Sequence, residues 1–141
     1  MNNEPSLTNR ARYAVSAMIE IARTETPMPL HSVADTTGIS LSYLEQLAAT
    51  LRSHGLIKAK LGPKGGYVLA KPSASITIAD IVKASEDWAP GLKAPKNKDV
   101  PQPTNTVQLW SHIHNVILHH LSQITLEYAI VERNRFDHLI P

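Results

Sequence analysis

Between residues 46 and 79 the sequence carries Arg52, Lys58, Lys60, Lys64 and Lys71 but neither aspartate nor glutamate. Cations without compensating carboxylates suit the neutralisation of phosphates, although a solvated lysine-bearing hairpin has the same composition. The glycines of "GPKGG", residues 62–66, lie inside this run. They do not make a nucleotide cradle, because no Lys-Ser/Thr follows and no helix opens after them; a hairpin tip accounts for them. Further along, His112, His114, His119 and His120 are candidate coordinating groups, and His112 and His119 lie about two turns apart on one helical face. Their spacing matches no recognised ligand pattern, so the metal reading of His112 and His119 is weak and they read as polar-face histidines. There is no Ser-His-Asp arrangement, paired-carboxylate motif or dinucleotide fingerprint. The acidic residues read as scattered over surface positions, and the chain is expected not to be an enzyme.

The 141 residues, 43% hydrophobic and 18% charged, allow one domain with a real core or a small domain with an appendage. Net charge is only +2, so the local patch matters more than the total. No apolar run reaches the ~18 residues needed to span a bilayer. The N-terminus lacks the apolar centre of a secretory signal, and a cytoplasmic protein with no membrane partner is expected. Zero cysteines exclude a disulfide framework, a thiolate metal site and a redox thiol.

The elements that must carry the basic patch follow from periodicity. Ala11, Ala14, Val15, Met18, Ile21 and Ala22 form one stripe of a helix over residues 8–23, with Thr8 or Asn9 as its cap. "TETPMP" interrupts it. A short helix from His31 to about Thr37 then ends at Gly38, and Ser40 caps the next one, residues 41–54, which Gly55 stops. This second helix buries Leu44, Leu47, Ala48 and Leu51 and turns Ser42, Glu45, Gln46, Ala49 and Ser53 outward. Two short helices joined by a tight turn, one with a short, polar outer face, make a helix-turn-helix. "LIKAKL", the turn and "YVLAK" follow as a β-hairpin, with Ile57, Ala59 and Leu61 on one side, Lys58 and Lys60 on the other and Lys64 at the tip. "ITIADIVKASED", residues 76–87, reads as an amphipathic helix burying Ile78, Ile81 and Val82.

Residues 88–104 hold four prolines and read as a loop, bracketed by Trp88 and Trp110, which read as anchors of that loop in preference to walls of a ligand pocket. From Asn105 to Val131, apolar residues recur at Val107, Trp110, Ile113, Ile117, Leu121, Ile124, Tyr128 and Val131. Steps of three and four predict one continuous helix with a coiled-coil-like seam, too long to bury that seam on so small a domain. Trp110, Ile113, Ile117, Leu121, Ile124 and Tyr128 are therefore the expected dimerisation residues; a helix folded back on its own domain is the alternative. The fold class is mainly α with a small β-hairpin wing (α+β): a winged helix-turn-helix over residues 1–87, a Pro-rich loop over 88–104, and a dimerisation helix and tail over 105–141.

With these pieces in order, the sequence resembles the IscR-type family of bacterial winged-helix regulators. The matching segments are "LTNRARYAVSAM", "GISLSYLEQLAATLRSHGLI", "GPKGGYVLAKP", "ITIADIVKA" and the "LW" that opens the long helix. The resemblance implies a homodimer that binds pseudo-palindromic double-stranded promoter DNA and usually represses. It points to Ser42, Glu45 and Gln46 as groups facing base edges, in keeping with Gln pairing to adenine, Glu accepting from cytosine and Ser serving either role. It also points to Ser40, Tyr43 and Arg52, with Lys58, Lys60 and Lys64 on the wing, as backbone contacts; for Tyr43 a core position fits equally.

The sequence departs from the family twice. Leu61 stands where close relatives carry an arginine that enters the minor groove. Residues 88–110 contain neither cysteine nor histidine, where cluster-binding relatives place three cysteines and a further ligand. No cofactor is expected, an iron–sulfur cluster least of all, and no small-molecule effector can be named. The competing function is a protein-interaction module that uses the same fold without reading DNA; lysine enrichment argues against it.

Overall fold

A computed structural model describes residues 9–88 and 104–139 of the chain, with side chains described for 9–86 and 104–135. The proposed Thr8 cap and most of the Pro-rich loop lie outside these residues, and the Trp88 side chain, the other proposed anchor, lies outside the described side chains. Helix α1, Asn9–Ala22, buries Ala11, Ala14, Ala17, Met18 and Ile21 along the expected stripe. Helices α2, Leu30–Thr37, and α3, Leu41–Ser53, meet at Gly38, whose left-handed φ of 77° lets its N–H close α2 on the carbonyl of Ala34. Strands β1, Ile57–Lys60, and β2, Gly66–Leu69, pair antiparallel with Lys58 opposite Val68 and Lys60 opposite Gly66. A 3-10 turn over Ser73–Ser75 leads into α4, Ile78–Trp88. There Thr77 Oγ1 accepts from the Asp80 N–H while the Asp80 carboxylate accepts from the Thr77 N–H, both at 3.0 Å, a reciprocal cap on the helix.

One apolar core joins these helices. Met18 and Ile21 from α1, Val33 from α2, Leu44, Leu47 and Leu51 from α3, and Ile81 and Val82 from α4 are all buried in it. The wing is fastened to this body by more than the loop after α3. Met28, between the two prolines that interrupt the first helical pattern, exchanges two backbone hydrogen bonds of 2.9 Å with Tyr67 on β2. The approach is close enough that a Cβ on Gly66 would lie 2.5 Å from the Met28 carbonyl carbon. Glycine is required at that position by contact.

The C-terminal part differs from the continuous helix expected. It forms α5, Val107–Leu121, and α6, Leu126–Leu139, with a break between them. Ser122 Oγ donates to the His119 carbonyl at 2.5 Å and Thr125 Oγ1 accepts from the Tyr128 N–H at 3.1 Å, so the hydroxyl residues of "SQIT" end one helix and begin the next. The break is also paired to the rest of the fold. The Leu126 N–H donates to the Ile76 carbonyl and the Ile78 N–H to the Ile124 carbonyl, both at 2.8 Å, and Leu126 is fully buried. The six seam residues are thereby split. Trp110, Ile117 and Tyr128 stay exposed, Ile113 is half-buried, and Leu121 and Ile124 pack against the chain's own core with Leu118 and Ile130.

A second correction concerns the carboxylates. Glu20 is not at the surface: it is 4% exposed and joins two arginines. Arg23, in the turn just after α1, reaches its Oε2 at 3.0 Å, and Arg133 on α6 reaches its Oε1 at 2.6 Å. A carboxylate withdrawn from water needs such partners.

Candidate nucleic-acid interface

The turn that aims α3 is held by short side chains. Thr37 Oγ1 donates to the Val33 carbonyl at 2.7 Å and accepts from the Ile39 N–H at 3.2 Å. Ile39 goes into the core, and Ser40 Oγ then accepts from the Tyr43 N–H at 3.3 Å and caps the helix as expected. With Leu44, Leu47, Ala48 and Leu51 buried, the 3.6-residue period leaves Ser42, Glu45, Gln46 and Ala49 on the exposed face. Arg52 is exposed near the end of the same helix. Across Gly55 the chain passes directly into β1, with the Leu56 N–H bonded to the Leu51 carbonyl and the Ala70 N–H to the Leu56 carbonyl. Helix and wing therefore form one continuous surface.

On the wing, Lys58, Lys60 and Lys64 are exposed. The two-sided pattern expected for β1 holds only at its start: Ile57 is buried, whereas Ala59 is exposed and Leu61 is 96% exposed. The strand leaves the body after one residue pair, so its later apolar positions have nothing to pack on. Of the two readings made of Tyr43, the core position describes its ring. Its ring is half-buried against the core and stands edge-on to Tyr13, with centroids 5.4 Å apart and planes at 86°. Its hydroxyl accepts a hydrogen bond from Arg10 on α1. Burial pushes that hydroxyl above its usual value, while the Arg10 charge and hydrogen bond oppose the shift. Arg10 and Tyr13 are the residues sequence reasoning missed here. Their only signal was a cation and an aromatic ring one helical turn apart, just before the motif.

The histidines do not converge. His112 and His119 are exposed on α5, His119 Nε2 lies 3.2 Å from the Gln123 amide nitrogen, and His114 Nε2 lies 3.9 Å from Glu86 Oε2. Among the described residues no three His, Asp or Glu side chains come together.

A recognition helix with a short polar outer face, joined without a spacer to a lysine-bearing hairpin, is the arrangement of winged-helix DNA-binding proteins. The sequence profile of a family described as Rrf2, iron-dependent transcriptional regulator, matches residues 7–132. This chain belongs to the Rrf2 family. It is similar to the HTH-type transcriptional regulator IscR of Photorhabdus laumondii, with 35% identity over 135 residues that cover 93% of this chain and 82% of that protein. Among solved structures, T. potens IscR superposes with a TM-score of 0.72 at 30% identity, covering 92% of this chain and 88% of that one. CymR, the global cysteine regulator of B. subtilis, superposes with a TM-score of 0.69 at 31% identity, covering 92% and 98%. This Rrf2 protein is accordingly a DNA-binding transcriptional regulator of the winged-helix type. Its donor set does not fit a cysteine-ligated iron–sulfur cluster, because the sequence contains no cysteine.

Proposed function

We propose that this Rrf2 protein is a homodimeric, sequence-specific repressor that works in the cytoplasm, binds pseudo-palindromic promoter DNA and does so without a cysteine-ligated cluster. The observation that carries the reading is the exposed set Ser42, Glu45 and Gln46 on α3 beside Lys58, Lys60 and Lys64 on the wing. The first three offer donors and acceptors to base edges, and the lysines neutralise backbone phosphates. Ser40 at the start of α3, with Tyr43 and Arg52 on it, would meet the phosphates that pass the helix. Support for a second subunit comes from the apolar side chains left open on the C-terminal helices: Trp110 is 63% exposed, and Leu109, Val116, Ile117, Tyr128 and Val131 are exposed with it. An apolar surface of that extent is what a partner copy covers. Two-fold symmetry then requires two half-sites of opposite sense.

Selection of fragmented genomic DNA by the purified protein at moderate salt, followed by sequencing, tests this. Enrichment of a palindrome is expected, with affinity that falls steeply as salt rises. Binding without a shared sequence, or affinity indifferent to salt, would favour the interaction-module reading.

A further inference from the structure

We infer that Glu20 is a positioning residue whose bond to Arg133 sets the register of α6 on α1, and through it the separation of the two half-sites that the dimer reads. The inference rests on the proposed homodimer and its palindromic site. The C-terminal helices meet the DNA-binding body at two separate places. At the break, the Leu126 N–H bonds to the Ile76 carbonyl and the Ile78 N–H to the Ile124 carbonyl, which pairs Thr77 with Thr125 as in an antiparallel sheet. Further along α6, Arg133 Nη1 donates to Glu20 Oε1 at 2.6 Å. From Leu126 to Arg133 the helix rises by about 10 Å. One attachment would leave α6 free to swing about the break, whereas two fix the direction of its axis.

The chemistry of the second attachment suits direction better than strength. Apolar side chains of similar volume would hold α6 to α1 as firmly as a buried ion pair, whose best attested use is to single out one arrangement. Glu20 is 4% exposed, and its carboxylate is divided: Oε1 accepts from Arg133 and Oε2 from Arg23. Sliding α6 along α1 would strand a buried carboxylate oxygen, a penalty that an apolar contact does not carry. The setting of α6 passes to α5 through the break, where Leu118, Leu121 and Ile124 pack on the core. The exposed Trp110 and Ile117 lie on α5, and α1 shares its core with α3. The face offered to a second copy and the helix offered to DNA are thus held at one distance. Each base pair adds about 3.4 Å along the duplex and roughly a tenth of a turn, so a drift of that size would admit a different spacer.

The test measures binding to palindromes built from the enriched operator with the central spacer lengthened or shortened by one base pair, and to an isolated half-site. Wild type is expected to lose at least about tenfold in affinity when the spacer changes, because only one subunit then engages. Arg133→Met, and the double variant Glu20→Leu with Arg133→Met, are expected to lose no more than roughly threefold, while Arg133→Lys, which keeps the charge, returns towards the wild-type preference. Half-site affinity and dimer mass should be the same in all of these proteins, so a change in spacer tolerance reports the setting of the subunits and not a lost fold or lost base contacts. The double variant, with an apolar contact in place of the ion pair, supplies a folded protein even where Arg133→Met alone does not fold. Wild-type spacer preference in the double variant would overturn the inference while leaving the dimer and DNA recognition intact. A wild type that enriches only single half-sites, or that sediments as a monomer, would overturn the dimer reading and this inference with it.

Discussion

Arg133 on α6 places a guanidinium nitrogen 2.6 Å from Oε1 of Glu20 on α1, across 113 positions of sequence. Glu20 has 6% of its side chain exposed, and its other oxygen faces Arg23. The pair fastens the last helix to the first.

Removing one partner of a buried pair leaves the other inadequately solvated. Arg133→Met should destabilise the fold by about 1–3 kcal/mol, less than loss of both partners, because Arg23 still serves the carboxylate. Urea unfolding of Arg133→Met, Glu20→Gln and the double variant gives the coupling directly.

Leu126 is fully buried where the chain turns from α5 into α6. Leu126→Ala should cost about 2–5 kcal/mol, while Val131→Ala on the open face should cost much less in the monomer. Thermal melting at low protein concentration compares the two.

Gln46→Ala and Glu45→Ala should each relax base preference at one position per half-site by roughly 1–3 kcal/mol, whereas Lys64→Ala should weaken all sequences alike and reduce the salt slope by about 1. Binding titrations on a panel of single-base operator variants at several salt concentrations separate these outcomes. Uniform losses in all three variants would contradict the assignment of base contacts.

Trp110→Asp with Ile117→Asp should convert the proposed dimer to monomers that retain their helical content. Sedimentation equilibrium reads the mass and circular dichroism the fold. Affinity for a full palindrome should fall to that for a single half-site, because the gain from tethering two binding units is lost.

Burial raises the Tyr43 hydroxyl above its ordinary 10.0. The folded chain therefore holds that proton more tightly than the unfolded one, and this group leaves stability undiminished below a pH of about 10 and lowers it above. Urea midpoints followed into the alkaline range should fall less steeply for Tyr43→Phe than for wild type.

The winged part was legible because its signals are local. Gly38 marks the end of α2 and Ser40 the start of α3, and the stripe Leu44, Leu47, Ala48 and Leu51 fixes which side of α3 is open. The C-terminal part was not, because its steps of three and four run straight through Ser122 and Thr125. The hydroxyls of Ser122 and Thr125 close the two helix ends locally, but hydrogen bonds to Ile76 and Ile78 hold the break in place, and no neighbouring residue reports a partner so far away in sequence. The same holds for Glu20: Arg23 lies one turn on and suggests a surface pair, while the arginine that accompanies its burial is contributed by the last helix. Leu61 was visible as a departure from the family pattern, but its exposure depends on β1 leaving the body after Ile57.

The two hydrogen bonds between Met28 and Tyr67 have a consequence for the sites this protein can accept. They clamp the hairpin to the segment ahead of α2, and Gly66 lets the two backbones touch. Helix and hairpin consequently behave as the fixed arms of a caliper. On the proposed reading of DNA, the number of base pairs between the bases facing α3 and those under the wing would be set by the protein and could not stretch. A half-site lengthened by one base pair would then satisfy one arm or the other, and spacing within the half-site would itself be part of what the proposed repressor recognises.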